Sequence, residues 1–456
     1  MFGIGVGLIR LIKSKQYLLR QPGAVIVLLL VVSAMGPYIP GALGLRLEHI
    51  VIYGFSCLFI SRWLLRSRTA ERRIRAITVL MILVIIWTML STIISGRILT
   101  GEVIAGIENY LQPVALLVIL SVLLQSRGVD PKKLFVFSAL SSCLVLSLNS
   151  VIALLTVFFD ISSWIQYFTG DVSSYQELSV WKNSVALGRY PGIFNQPFES
   201  GLAHSLGLFA WVYLFADYSK SRFLYSFLFL GVCIGGFLSI SKVFLFIGLP
   251  LAGFYWLWSG VNQKKLWLMV SAPFFLWGAG CLLMPHWDGL DRLLGYMNMS
   301  SLDNGQSYVS YYSSGRLDKN ESGVFPLFIK AWQEAPFWGF GFGAWEGPLD
   351  NAYIEFFYQG GLIGLLVYIL ILFLILLLAI RGLRHKVSEG KFVLIVFLLI
   401  ITAGIGAPVL TINRGSIFLW VLLVLAMYMC EPGNKGSRDS AGVQNTSDKY
   451  GRRVTE

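Results

Sequence analysis

The sequence predicts an all-α polytopic membrane protein of about 12 transmembrane helices, with a large non-cytoplasmic loop between the ninth and the tenth. Three observations carry that expectation. Hydrophobic residues make up 56% of the 456-residue chain and charged residues only 13%, about half the charge of a soluble domain. Apolar runs of about 18–22 residues, each long enough to cross the hydrocarbon core as a helix, recur from end to end. The basic residues alternate with those runs in the way that membrane topology requires.

Taken in order, the predicted spans cover roughly residues 23–41, 47–64, 76–95, 103–124, 133–158, 198–216, 223–240, 243–260, 266–284, 352–380, 391–411 and 415–430, by the ~20-residue rule. The break between the seventh and eighth has the weakest signal. Residues 1–22 hold Arg10, Lys13, Lys15 and Arg20 among Ile and Leu and predict a basic interfacial segment rather than a cleaved signal. Residues 23–430 form the membrane domain, with outer loops at about 159–197 and 285–350. Residues 431–456 are polar and predict a disordered tail. With both termini inside, the predicted cytoplasmic segments hold 26 of the 36 basic residues. The +12 net charge therefore reads as topology and not as a nucleic-acid partner. The five cysteines all fall in apolar runs without paired spacing, which argues for apolar filler over a disulfide or a metal site.

Ten basic residues oppose the inside bias, and four of them sit where a span meets an outer loop: Arg189, Lys242, Arg316 and Arg414. Cations at that boundary suit an anionic ligand such as a lipid phosphate, which arginine grips through parallel hydrogen bonds. The plainer alternative is that each snorkels to lipid head groups. Asp350 and Asn351 stand at the head of the tenth span, behind the glycine run Gly339, Gly341 and Gly343. That run lacks the strand before it that a dinucleotide site needs. The pair reads either as a helix N-cap or as a carboxylate able to take a proton from a hydroxyl. Glu102, Glu108, Glu199 and Glu355 are weaker acidic candidates, with pairing to an arginine as the plainer alternative for each, and His204 is expected to make an interhelical hydrogen bond.

Three pieces together resemble the O-antigen polymerase and ligase (Wzy/WaaL-type) membrane family. The first is R-x-x-G-x-F-x-x-P at Arg189, Gly192, Phe194 and Pro197. The second is a Ser-basic pair after an apolar span at Ser241 and Lys242. The third is Ser-Gly-Arg ending at Arg316, followed by P-x-x-G-x-G-x-G and then by Asp350, Asn351, Gly361 and Gly364. The resemblance spans about residues 185–420. It implies a metal-independent and cofactor-free glycosyltransferase of the bacterial inner membrane. Its substrates would be polyprenyl-pyrophosphate-linked oligosaccharides, and its candidate partners a chain-length regulator and a flippase, besides membrane lipids. On this resemblance Arg189, Lys242 and Arg316 hold pyrophosphate and Asp350 occupies the position of the family's histidine base; Arg414, as a boundary cation, and Asn351, beside Asp350, are counted with them as candidate substrate-binding residues. Aspartate there favours a polymerase of repeat units over a ligase. A secondary transporter is the reading from another class, but it predicts repeat symmetry and short outer loops.

Overall fold

The computed structural model describes residues 22–39, 46–65, 72–97, 100–126, 128–169, 177–218, 222–260, 324–345 and 349–431. The predicted ninth span, Arg316, most of the 285–350 loop and both terminal segments lie outside the described residues. Among the described residues the chain is helical, with one isolated bridge between Tyr38 and Arg46.

The helices are α1 (Pro22–Ser33), α2 (Leu47–Leu65), α3 (Arg72–Ile94), α4 (Gly101–Leu124), α5 (Pro131–Phe158), α6 (Ser162–Thr169), α7 (Glu177–Ala186), α8 (Pro197–Tyr218), α9 (Arg222–Leu238), α10 (Leu249–Trp258, preceded by a π-helical turn Val243–Gly248), α11 (Phe325–Glu334), α12 (Ala352–Arg384), α13 (Ser388–Ala403) and α14 (Asn413–Cys430). Six of them are long and apolar enough to cross a membrane: α2, α3, α4, α5, α12 and α14. The first predicted span is cut short because the helix ends before Gly36 and Pro37, and the eleventh because a turn at Gly404–Pro408 ends α13. Between the seventh and eighth predicted spans the helix does break, over residues 239–241. The chain folds back there, packing Phe237 on Phe244 with ring centroids 5.6 Å apart.

The bundle is built around α14. Every residue from Ile417 to Met427 is buried, as expected of a helix that is apolar all round. Its neighbours are α4, α5, α8, α13 and α12. Close approach of small residues knits α5 to α9, where a side chain at Gly231 would strike Ser147 and one at Gly235 would strike His204 and Ser150. The imidazole of fully buried His204 bonds Ser150 of α5 at 3.2 Å and the carbonyl of Ser200 at 2.8 Å. That contact is the interhelical bond expected from sequence.

The two ends of the bundle differ. At the basic end, Arg73 N–H donates to Glu431, Tyr213 OH to Glu389, and Lys391 to the carbonyl of Trp258. At the other end, here called the site face, stand the turns carrying Arg189, Lys242, Asp350 and Arg414.

Candidate functional site

The motif around Arg189 is a clamped turn. Gly192 sits at φ +71°, and a side chain there would strike Asn149 of α5, so only glycine fits the left-handed position beneath that amide. Asn149 bonds the turn from both ends of its amide: Oδ1 accepts the Ile193 N–H at 2.9 Å and Nδ2 donates to the Pro191 carbonyl at 3.2 Å. The Trp181 indole donates to the Gly192 carbonyl at 2.9 Å. Buried backbone groups need partners, and two side chains supply them here without secondary structure.

The turn meets the tip of the α9–α10 hairpin directly, through Tyr190 N–H donating to the Leu238 carbonyl at 2.8 Å. Lys242 lies four residues beyond Leu238. Between them, Ile240 is fully buried at φ +42°, a strained position for a β-branched residue that only surrounding structure can hold. Ser241 packs on Gly201 of α8. The two cationic motifs, some fifty positions apart in the chain, therefore share one corner of the site face.

Asp350 is placed by an interlock of both glycine motifs. α12 is broken at Gly361, which adopts φ +62° and ψ −161°. The break frees carbonyls that the following helical turn would otherwise satisfy. The glycine run answers them: Phe340 N–H donates to Tyr358 at 2.8 Å and Gly341 N–H to Gln359 at 2.9 Å, while Leu362 N–H reaches Pro336. Trp87 of α3 donates to the Gly360 carbonyl at 2.8 Å. Thr92 Oγ1 accepts the Phe342 N–H at 2.8 Å, and a side chain on Gly341 would strike the Thr92 backbone. The interlock fixes the half-helix 352–360. At its head Asn351, not Asp350, is the N-cap, accepting the Ile354 N–H at 3.1 Å and donating to the Ile405 carbonyl. Of the two sequence readings of this pair, the N-cap falls to Asn351. Asp350 is half-buried and lies within electrostatic reach of buried Glu355, whose Oε1 accepts from Tyr110 OH at 3.1 Å. The adjoining turn, at Gly406, approaches Phe198 at the start of α8, beside the Arg189 motif.

Arg414 has a different place from the one expected. It is fully buried and its guanidinium is engaged on three sides. Nε donates to Glu48 at 3.3 Å, Nη1 to the Ile193 carbonyl at 2.7 Å, and Nη2 to the carbonyls of Gly36 and Phe168 at 2.9 and 2.7 Å. Four of the five N–H donors of a guanidinium are therefore committed to protein. Arg414 ties α14 to the ends of α1 and α6, the start of α2 and the Arg189 turn.

Sequence reasoning placed the carboxylates less well. Glu48, which it did not single out, bridges two arginines, contacting Arg46 at 3.2 Å and Arg414 at 3.3 Å. Glu199 accepts the Gly415 N–H at the start of α14 and the Asn195 N–H, a placement favoured by the helix dipole. Glu108 meets His49. Sequence order gives no sign of that pair, because the two residues belong to helices apposed only by the fold. No protein-family model matches the chain, and no curated protein matches it significantly.

Proposed function

We propose that this chain is a polysaccharide polymerase that joins polyprenyl-pyrophosphate-linked oligosaccharide repeat units at the outer face of the bacterial inner membrane. The observation that carries the reading is the main-chain bond from Tyr190 to Leu238, which puts the Arg189 and Lys242 motifs in one corner. Pyrophosphate is a good leaving group, and its departure asks chiefly for cations where charge develops. Arg189 and Lys242 fill that role, with Arg316 as the third cation. Arg414 acts from behind, holding the Ile193 carbonyl and so the Arg189 turn. Asn351 likewise acts through the helix it caps.

The acceptor hydroxyl oxygen attacks the anomeric carbon of the lipid-linked sugar. The bond from that carbon to the pyrophosphate oxygen breaks, and the lipid pyrophosphate leaves with the electron pair. The hydroxyl proton passes to Asp350 as general base. A single displacement of this kind inverts the anomeric configuration. The half-helix from Ala352 to Gly360 holds the base at a fixed height, which suits a reaction that depends on alignment.

Deletion of the protein followed by analysis of lipid-linked intermediates tests the reading. Single repeat units on the carrier are expected. Full-length polymer stalled on the carrier would instead make the chain a ligase that passes glycan to another acceptor. Unchanged glycans with a defect in uptake would make it a transporter.

A further inference from the structure

The stretch from α11 into the glycine run carries large apolar side chains that the reaction drawn above does not use. Trp332 is 57% exposed, Phe337 56%, Trp338 46% and Ile329 40%. In α11 Leu327 and Ala331 are buried, and Phe328 packs on Phe357 of α12 with ring centroids 4.9 Å apart. At about 3.6 residues per turn, Phe325, Phe328, Ile329 and Trp332 fall on one flank of that buried face, and Lys330, Gln333 and Glu334 on the other. One flank is apolar and one polar, the arrangement of a helix that lies along a membrane boundary.

The depth of this stretch follows from its contacts with two spans. Every exposed residue of α3 from Val79 to Ile94 is apolar, and exposed polar residues begin just beyond, with Ser95 and Arg97. Ile94 therefore marks the site-face end of an apolar stripe. Trp87 of α3 donates to the Gly360 carbonyl, and a side chain at Gly361 would strike the carbonyl of Phe337 and the main-chain nitrogen of Trp338. Trp87 lies seven residues before Ile94, about 10 Å along a helix. Phe337 and Trp338 therefore stand well below the end of the stripe. The chain then climbs: Gly341 packs on Thr92, and the Gly343 carbonyl accepts from Arg97 at 2.7 Å. On α12 no residue from Ala352 to Gly361 is exposed, and every exposed residue from Ile363 to Phe373 is apolar.

Exposed rings at that depth meet either acyl chains or a water-filled cleft. Water in a cleft needs polar partners, whereas the exposed residues of both adjoining spans are apolar. Tryptophan suits this level as well, its ring meeting apolar chains and its N–H the polar boundary. We propose that residues Phe325–Gly343 form a re-entrant segment that dips into the leaflet on the site-face side and returns, and that Ile329, Trp332, Phe337 and Trp338 are its contact surface for lipid acyl chains. The backbone of such a segment needs partners away from water. The glycine run has them in Tyr358, Gln359 and Thr92. The surface continues the apolar stripes of α3 and α12, so the last part of the predicted outer loop belongs to the membrane domain. The proposal stands apart from the polymerase reading, and its test involves no turnover.

The unsubstituted full-length chain gives the first measurement. It is reconstituted in phosphatidylethanolamine–phosphatidylglycerol vesicles that include a phospholipid with a diazirine midway along one acyl chain. After photolysis, peptide mass spectrometry is expected to find adducts within residues 329–338 as well as on the exposed stripes of α3 and α12. Nitroxides at Phe337→Cys and Trp338→Cys, in a chain whose five native cysteines are alanine, give the second. Oxygen, which partitions into acyl chains, is expected to collide with both labels in preference to a water-soluble nickel chelate, as at Leu366→Cys. Asp160→Cys, the exposed aqueous reference, shows the reverse. Preference for nickel at 337 and 338 overturns the proposal in favour of a water-filled cleft. Collision with neither reagent also overturns it, because protein then covers the surface. If a cysteine variant does not fold, the unsubstituted chain still decides: adducts on α3 and α12 with none within 329–338 overturn the proposal.

Discussion

At the scale of single residues the informative contrast is between Arg414 and Asp350. Both resemble site residues in sequence, but Arg414 has its hydrogen bonds committed to buried carbonyls, whereas Asp350 is half-buried and precedes Asn351, the N-cap of α12. They should fail differently. Arg414→Lys supplies three donors from a point charge where the guanidinium makes four bonds in a planar fork. Arg46 still pairs with Glu48, so the loss falls on the buried carbonyls of Ile193, Gly36 and Phe168, at about 1–3 kcal/mol for each one left unpaired. The expected outcome is a lower midpoint in heat-challenged size-exclusion profiles, with polymer lost in step with folded protein. Asp350→Asn should elute and melt like wild type and make no polymer. Normal melting of Arg414→Lys would refute the tether role, and full polymer from Asp350→Asn would refute the base. Asn149 is the third case. Asn149→Leu removes both amide bonds to the Arg189 turn and leaves buried groups unpaired at about 1–3 kcal/mol each. Loss of polymer with the bundle still folded is expected, read from the same two assays.

At the scale of elements, the broken helix α12 explains why the two glycine motifs occur together. A turn of irregular backbone at membrane depth is tolerated only where its polar groups find partners, and here each motif supplies the other's. Gly361 lies nine residues into α12, about 14 Å along a helix, so the glycine run reaches well below the head of the helix. Gly361→Ala should uncouple them: φ +62° is costly for alanine, and its methyl would strike the backbone of Phe337. The expected result is new protease cleavage within residues 336–345, checked by limited proteolysis in detergent. Cleavage identical to wild type would show that the interlock is dispensable. Much of this level was legible in the sequence. Apolar runs placed the helices because length and hydropathy are local, and the motif spacing placed Arg189, Lys242 and Asp350 at helix ends. Arg414 and the His49–Glu108 pair were not legible. Their partners lie up to 378 positions away, and only packing decides whether an arginine at a helix start faces a ligand or four protein acceptors.

At the scale of the whole molecule, the charge pattern and the contacts between distant segments make one topological claim that can be tested across the chain. The carbonyl of Trp258, at the end of α10, accepts from Lys391 near the start of α13 at 3.0 Å, and the Lys391 ammonium lies 5.3 Å from the Trp258 ring centroid. The end of α10 is therefore on the basic face. Trp345, by contrast, follows Gly343, whose carbonyl accepts from Arg97 just beyond the end of α3 at 2.7 Å, and so belongs to the site face. Residues 260 and 345 lie on opposite faces of the bundle, and the polypeptide changes face between them. Asp160 and Lys386, both exposed, mark the site and basic faces in the two halves of the chain. Single-cysteine variants D160C and W345C should react with a membrane-impermeant maleimide in cells with a permeabilised outer barrier and intact inner membrane. G260C and K386C should react only after the inner membrane is opened. Positive-inside bias alone ties the basic face to the cytoplasm, whereas the Trp258–Lys391 and Arg97–Gly343 contacts tie the halves to each other regardless of charge. The labelling pattern separates the two: all four residues reversed would keep the bundle and invert its orientation, and G260C reacting together with W345C would break the bundle itself.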